Sequence, residues 1–132
     1  MKIQIKSRFT AAVLFEHDTA ENTIKLTLEA GLKAGADLYG ANLRGADLRG
    51  ADLSDANLGD ADIDFSCLPL RCGGLRWKID KRQAAQLAYH LCSMQCDDKE
   101  FLAVRNFALG LANQFHRVSE CGKLEPVEAP SC

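Results

Sequence analysis

The alternation of apolar and polar residues at the start of the chain predicts two strands followed by a helix. Ile3 and Ile5 alternate with polar neighbours, which is typical of a strand. The run from Phe9 to Phe15 predicts a second strand, paired with the first or with the segment that follows. Asp18 begins a sequence that resembles a capping box, so we expect a helix over about residues 20–33.

The predicted helix carries its apolar residues on one stripe and ends at a glycine. Ile24 and Leu28 begin the stripe and Leu32 continues it, whereas Leu26 lies off it. Gly35 is the expected C-terminal stop, because glycine adopts the left-handed conformation at low cost.

Residues 36–70, which we call the repeat segment, repeat every five residues. Leu or Ile occupies the centre of every unit, and six units begin with Ala followed by Asp or Asn. The units are ADLYG, ANLRG, ADLRG, ADLSD, ANLGD, ADIDF and SCLPL.

A period of five residues fits neither one continuous helix nor one continuous strand. Five residues advance an α-helix by about 500°, which scatters the Leu side chains around the axis. An odd period in a strand sends successive side chains to opposite faces. A chain that turns a corner in every unit points each Ala and Leu inward. Gly40, Gly45 and Gly50 supply conformational freedom at the corners, and Asp or Asn side chains cap turn amides.

The repeat segment resembles the pentapeptide-repeat proteins, whose pattern is A(D/N)LXX. This resemblance implies a right-handed quadrilateral β-helix with four units per coil, in which residues twenty apart lie over each other. We therefore expect a mainly β fold with α caps, containing a pentapeptide-repeat solenoid of about 1.75 coils. The expected domains are an N-terminal β-hairpin and helix cap over residues 1–35, the β-helix over 36–70, and a C-terminal strand, helical hairpin and loose tail over 71–132.

The C-terminal part of the chain predicts one short strand and the first helix of a hairpin. Leu75, Trp77 and Ile79 alternate with charged residues, which is typical of a strand. Asp80 is a suitable N-cap for a helix over about residues 81–96. The apolar face of that helix is expected to contain Ala84, Leu87, Ala88, Leu91 and Cys92.

The second helix of the hairpin is expected to begin at Asp97-Asp98 and to run to about residue 117. Its apolar stripe is wider than one neighbouring helix would cover, which favours burial against the repeats or between subunits. The resemblance points the same way, because pentapeptide-repeat relatives often dimerise through a C-terminal helix. The residues expected to form this cap or dimer contact are Phe101, Leu102, Val104, Ala108, Leu109, Leu111 and Phe115.

Charge is distributed unevenly along the chain, although the net charge is only −2. The repeat segment holds seven Asp against two Arg, for a net charge of −5. The acidic binding surface expected from this count consists of Asp37, Asp47, Asp52, Asp55, Asp60, Asp62 and Asp64. Such a surface complements a basic DNA-binding groove.

The resemblance implies a function for the acidic surface, because several pentapeptide-repeat proteins are DNA mimics that bind bacterial type II topoisomerase. We expect a non-enzymatic inhibitor that blocks a bacterial nucleic-acid-binding machine, with a CRISPR effector as the favoured target. Binding to DNA gyrase is an alternative, although the gyrase-binding relatives have many more coils. A structural or interaction module without DNA mimicry is a further alternative, since Asp and Asn also serve the turns.

Direct nucleic-acid binding would use a different surface, namely the basic patch beside Trp77. This patch consists of Arg71, Arg76, Lys78, Lys81 and Arg82. No GxSxG, P-loop or HExxH motif occurs, so we expect no catalytic residue, small-molecule substrate or cofactor.

The six cysteines form no CxxC pair. A zinc site formed by Cys92, Cys96 and Cys121 stays open as an alternative to reduced structural thiols. The sequence shows no secretory signal and no membrane-spanning run, so we expect a cytoplasmic protein without disulfides.

Overall fold

The computed structural model describes residues 1–70 and 75–128, and the chain divides into two compact units, residues 1–80 and 81–132. The predicted domains, an N-terminal cap, a repeat segment and a C-terminal cap, are segments of the chain rather than compact units. This predicted division therefore stays a prediction. In the part of the chain that the structure describes, no helix is long and apolar enough to cross a membrane.

The first unit begins with an antiparallel pair of strands, as the alternation predicted. β1 covers Lys2–Lys6 and β2 covers Val13–Asp18, with Ile5 opposite Phe15. The second strand begins later than the predicted Phe9, because the chain turns first and Ala11 adopts a left-handed φ of 59°.

The helix α1, Ile24–Lys33, begins about four residues later than predicted. Thr23, and not Asp18, is the N-cap, and its hydroxyl oxygen accepts from the Leu26 amide at 3.1 Å. The buried side chain of Asn22 fixes the preceding loop by donating to the His17 carbonyl at 2.8 Å. The predicted stop is confirmed, since Gly35 has a φ of +76°.

The predicted fold class, mainly β with a right-handed quadrilateral β-helix, is wrong. The regular elements of the described residues are two strands in one antiparallel sheet and four helices, and no solenoid of strands is present. The repeat segment forms isolated bridges instead, such as Asn42 with Asp62 and Asp47 with Cys67. The physical reason is that most of the five residues in each unit belong to a turn. Backbone pairing between units therefore ends before it can extend into a ladder.

The predicted corners are confirmed, and they recur at the fifth position of the units. Gly40, Gly45 and Gly50 have φ between 68° and 69°, and the same left-handed conformation continues at Asp55 and Asp60, with φ of 64° and 53°. Each turn is closed by a bond from the first residue of the next unit to the central carbonyl, typically 3.0–3.1 Å. A left-handed third residue is what type II turns require.

The inward-pointing Ala and Leu are also confirmed, because they form the core of the first unit. Trp77, Ile5 of β1 and Leu28 of α1 pack into the same cluster. The central residues Leu38, Leu43, Leu48, Leu53, Leu58 and Ile63 are all buried.

Residues 75–80 do not form the predicted strand. Lys78 makes one isolated bridge with Asn57, and its amide donates to the Ala56 carbonyl at 2.8 Å. The alternation was misleading because Leu75 and Ile79 are exposed while only Trp77 enters the core.

The second unit contains both predicted helices, each shorter than expected, and one short additional helix. Its helices are α2 (Lys81–Cys92), α3 (Lys99–Ala112) and α4 (Val118–Cys121). Asp98 is the N-cap of α3, as predicted, and accepts from the Phe101 amide at 3.0 Å.

The core of the second unit differs from the predicted apolar stripes. Tyr89 and Cys92 of α2 pack against Leu109 and Ala112 of α3 and against Phe115. The predicted face of α2 is therefore rotated, and Leu91 is exposed. The tail is not loose as predicted, because residues 122–127 are hydrogen-bonded to α2 and α3.

Candidate functional site

The acidic residues of the repeat segment serve its turns first. The second residue of each of the first six units accepts, through its side-chain oxygen, a hydrogen bond from the amide two positions further on. Asp37 accepts from the Tyr39 amide at 3.0 Å, and Asp52 accepts from the Ser54 amide at 3.2 Å. The predicted role of Asp and Asn as turn caps is therefore confirmed, and much of the acidity is part of the fold chemistry.

Asp47 is neutralised by a neighbour in its own unit. The Arg49 guanidinium donates to both carboxylate oxygens, at 2.9 Å from Nε and 2.7 Å from Nη2. The hydrogen bonds from the Arg49 side chain, and then its backbone amide, lower the pKa of Asp47 from 3.8 to about 2. This bidentate pair leaves little net charge at the Asp47 position.

Asp64 and Asp62 meet one arginine twenty positions earlier in the chain. Arg44 Nη1 lies 3.3 Å from Asp64 Oδ2 and 3.8 Å from Asp62 Oδ2. Asp64 is only 4% exposed, so it contributes nothing to a continuous acidic surface. Arg44 also lies over the exposed ring of Phe65, 4.6 Å from its centroid.

The remaining four predicted acidic residues form the accessible part of the surface. Asp37, Asp52 and Asp55 are exposed, and Asp60 is half-buried. The Asn57 amide donates to Asp37 at 3.4 Å, which confirms that residues twenty apart in the repeat segment lie side by side.

Tyr39 is a surface residue that the sequence analysis did not single out. Its hydroxyl donates to Asp60, whose own amide donates to Asp80 Oδ2 at 2.5 Å. The hydrogen bond to Asp60 raises the pKa of Tyr39, with smaller contributions from the charges of Asp60 and Asp80. We call Asp37, Tyr39, Asn57 and Asp60 the Tyr39 face. The signal in the sequence that pointed to exposure of Tyr39 was its place as the fourth residue of a unit whose first and third residues point inward.

The predicted cap or dimer residues are divided between the core and the surface of the second unit. Leu102, Leu109 and Phe115 are buried, Val104 is 58% exposed, and Phe101, Ala108 and Leu111 are half-buried. Phe107, which the stripe did not include, is 93% exposed. Dimerisation through this helix stays a prediction.

The predicted basic patch lacks its aromatic partner on the surface. Arg76 and Lys78 are exposed, but Trp77 is buried in the core of the first unit and is not accessible for stacking on a base. Arg71 lies outside the described residues, and Lys81 and Arg82 belong to the second unit.

The three cysteines considered for zinc line one cavity of about 520 Å³ in the second unit. Cys92 is buried, whereas Cys96 and Cys121 are exposed, and all three are free thiols. Among residues 1–70 and 75–128, no group of three or more His, Cys, Asp or Glu side chains is arranged to hold a metal ion. Cys72 and Cys132 lie outside that part of the chain.

The regular turns, their Asx caps and the buried Leu positions agree with one family. The family model for pentapeptide repeats matches residues 34–68, in eight copies. The chain contains pentapeptide repeats. A search of curated proteins and a search of solved structures found no match. Pentapeptide repeats indicate a protein-interaction module, and the match covers about a quarter of this chain.

Proposed function

We propose that the chain is a non-enzymatic inhibitory binding protein whose accessible repeat carboxylates occupy the basic groove of a bacterial nucleic-acid-binding protein. A CRISPR effector is the favoured target class, and DNA gyrase is the alternative. The observation that carries this proposal is the exposure of Asp37, Asp52 and Asp55 on the turns of a packed segment.

Rigid presentation supports binding by these carboxylates. Each one is attached to a turn whose Leu and Ala neighbours are buried, so little side-chain and backbone freedom is lost on association. Turns twenty residues apart are joined by bridges, which places side chains at about the strand spacing of 4.8 Å. A set of negative charges fixed on such turns steers a basic groove toward the protein.

The proposed surface is smaller than the seven aspartates counted from the sequence. Arg49 holds Asp47 in an ion pair, and Arg44 holds Asp62 and Asp64. The surface therefore reduces to the other four aspartates, Asp37, Asp52, Asp55 and Asp60. Tyr39 adds an exposed aromatic ring beside Asp60, and aromatic residues are enriched where proteins bind one another. This aromatic ring favours the second candidate, an interaction module that binds a protein without imitating DNA.

A charge-removing variant tests the proposal without changing the turns. Asp37→Asn/Asp52→Asn/Asp55→Asn keeps a side-chain oxygen at the two capping positions, and Asn tolerates the left-handed conformation of Asp55. The assay is inhibition of DNA binding by a panel of purified CRISPR effectors and DNA gyrase. We expect the wild-type chain to inhibit one of them and the triple variant to lose at least about tenfold in inhibition.

The matched control is Asp47→Asn/Arg49→Gln, which removes a carboxylate that is already paired and leaves the net charge unchanged. It should inhibit as well as the wild type. Undiminished inhibition by the triple variant would rule out DNA mimicry, and loss of inhibition in Tyr39→Ala alone would favour the second candidate.

A further inference from the structure

Residues 122–127, the tail of the second unit, run alongside α3, and side-chain amides hold their backbone. Asn113 donates to the Leu124 carbonyl and accepts from the Leu124 amide, both at 2.9 Å. Asn106 makes the same pair of bonds to Val127, at 2.7 Å and 3.1 Å. Asn106 of α3 and Asn113, the C-cap of α3, thus pair with the tail as a neighbouring strand would.

The spacing of the two asparagines matches the repeat of an extended chain. Seven residues along a helix rise about 10.5 Å, and three residues along a strand rise about 10 Å. Asn106 and Asn113 are seven apart, while Leu124 and Val127 are three apart and run in the opposite direction. An extended peptide therefore stays in register with α3 across both contacts.

Two further bonds also go to the backbone of the tail. Arg105 Nη1 donates to the Glu125 carbonyl at 2.9 Å, and the Tyr89 hydroxyl donates to the Gly122 carbonyl at 2.5 Å. Arg105 is itself buried and held by its bond to the Cys92 carbonyl at 2.8 Å. Donors that are fixed in this way need little reorganisation to receive a peptide.

The tail presents two apolar side chains, of which Leu124 is half-buried and Val127 is 43% exposed. Leu124 and Val127 line the 520 Å³ cavity together with Tyr89, Cys92 and Leu102. Pro126 lies between Leu124 and Val127, and its ring favours the extended conformation. Proline has no backbone N–H, and none of the contacts described above uses one at this position. The segment that fits is therefore an extended peptide with apolar residues at its first and fourth positions and proline at its third.

We infer that the face of α3 around Asn106 and Asn113 is an extended-peptide-binding site, and that it accepts the Leu124–Val127 segment of a second copy of this chain. The bonds are made to backbone atoms, so a tail from another copy makes the same contacts as the resident tail. Gly122, exposed and with a φ of +96°, supplies the hinge where the tail leaves α4. The exchange is independent of the acidic repeat surface.

The resident tail competes with exchange, because a short tether gives it an effective concentration in the millimolar range. The wild-type chain is therefore expected to be mainly monomeric at micromolar concentration. Two full-length variants remove this competition in complementary ways. The site variant, Asn106→Ala/Asn113→Ala, keeps its tail, and the tail variant, Leu124→Asp/Val127→Asp, keeps its site.

Mixing the two variants is the decisive experiment, measured by size-exclusion chromatography with light scattering. We expect a one-to-one complex whose Kd is at least about tenfold lower than that of either variant with itself, since only the mixture contains an intact tail and a vacant site. No complex at up to about 1 mM would overturn the proposal.

A free peptide with the sequence of residues 122–128 separates peptide binding from exchange. It should bind the tail variant and bind the site variant at least about tenfold more weakly. Peptide binding without a mixed complex would assign the site to a segment of another protein and overturn exchange between copies. Alanine favours the helix, so α3 should persist in the site variant, and circular dichroism checks this. If the site variant unfolds, Asn113→Asp replaces it, because it keeps the acceptor for the Leu124 amide and puts a charged carboxylate oxygen in place of the donor to the Leu124 carbonyl.

Discussion

The Tyr39 hydroxyl donates a hydrogen bond to the carboxylate of Asp60, 21 positions further along the chain. The two residues belong to units that a five-residue period brings side by side. Asp80 adds a second negative charge near the phenol. The hydrogen bond stabilises the protonated phenol, and both charges disfavour its ionisation.

We predict that Tyr39 ionises above its ordinary pKa of 10.0 and that Asp60→Asn moves this pKa back toward that value. Because the folded-state pKa is raised, the contribution of this contact to stability is present below pH 10 and is lost as the pH rises through the folded pKa. The measurement is the ultraviolet absorbance of tyrosinate, with Tyr39→Phe to assign the transition. Asp37→Asn is the control and should leave the transition in place; an unchanged transition in Asp60→Asn would show that the bond is absent in solution.

The Asp47 carboxyl should remain mostly ionised at pH values between its ordinary pKa of 3.8 and about 2. Its pKa is lowered from 3.8 to about 2 by the bidentate contact with Arg49. A lowered folded-state pKa means that the stabilisation is present above the unfolded value of 3.8 and is lost as the pH falls toward 2. Carboxyl chemical shifts followed by NMR measure this pKa directly. Arg49→Gln should return it toward 3.8, and a wild-type value near 3.8 would contradict the ion pair.

The five-residue period predicted the local chemistry of the repeats better than their class of secondary structure. The inward Leu38 and Leu58, the corner at Gly45 and the cap made by Asp52 all follow from what one unit requires. The extent of strand pairing does not follow from a single unit. It depends on how many consecutive residues two neighbouring units leave outside their turns. The start of α1 was missed for a similar reason, since both Asp18 and Thr23 are acceptable N-caps and tertiary contacts of Asn22 decide between them.

The candidate site shows the same division between local and non-local information. Exposure of Asp37 and Asp52 follows from the inward direction of their neighbours. The burial of Asp64 does not follow from its neighbours in the chain, because it requires the ion pair with Arg44, which belongs to a unit twenty residues earlier. Net charge counted along a segment therefore overstates the charge that a partner would meet.

The left-handed fifth position predicts opposite effects for one substitution at two exposed glycines. Gly45→Ala should lower the free energy of unfolding by about 1 kcal/mol, because Gly45 has a φ of +68° and alanine is strained there although space is available. Gly110→Ala in α3 should raise it by about 1 kcal/mol, because its Cβ also meets nothing within 4 Å and alanine favours the helix. Urea denaturation measures both, and equal signs would refute the conformational explanation.

The contact between Arg44 and Asp64 should contribute more to stability than an ordinary surface ion pair. Asp64 is 4% exposed, so removing the guanidinium leaves a desolvated carboxylate without the charge that faces it at 3.3 Å. Arg44→Gln should therefore lower the free energy of unfolding by about 1–3 kcal/mol, whereas Arg49→Gln, at an exposed pair, should lower it by less. A double-mutant cycle with Asp64→Asn isolates the pairwise energy from the other contacts of Asp64. A coupling energy indistinguishable from zero would mean that Asp64 is stabilised by its backbone surroundings and that Arg44 remains available to a partner.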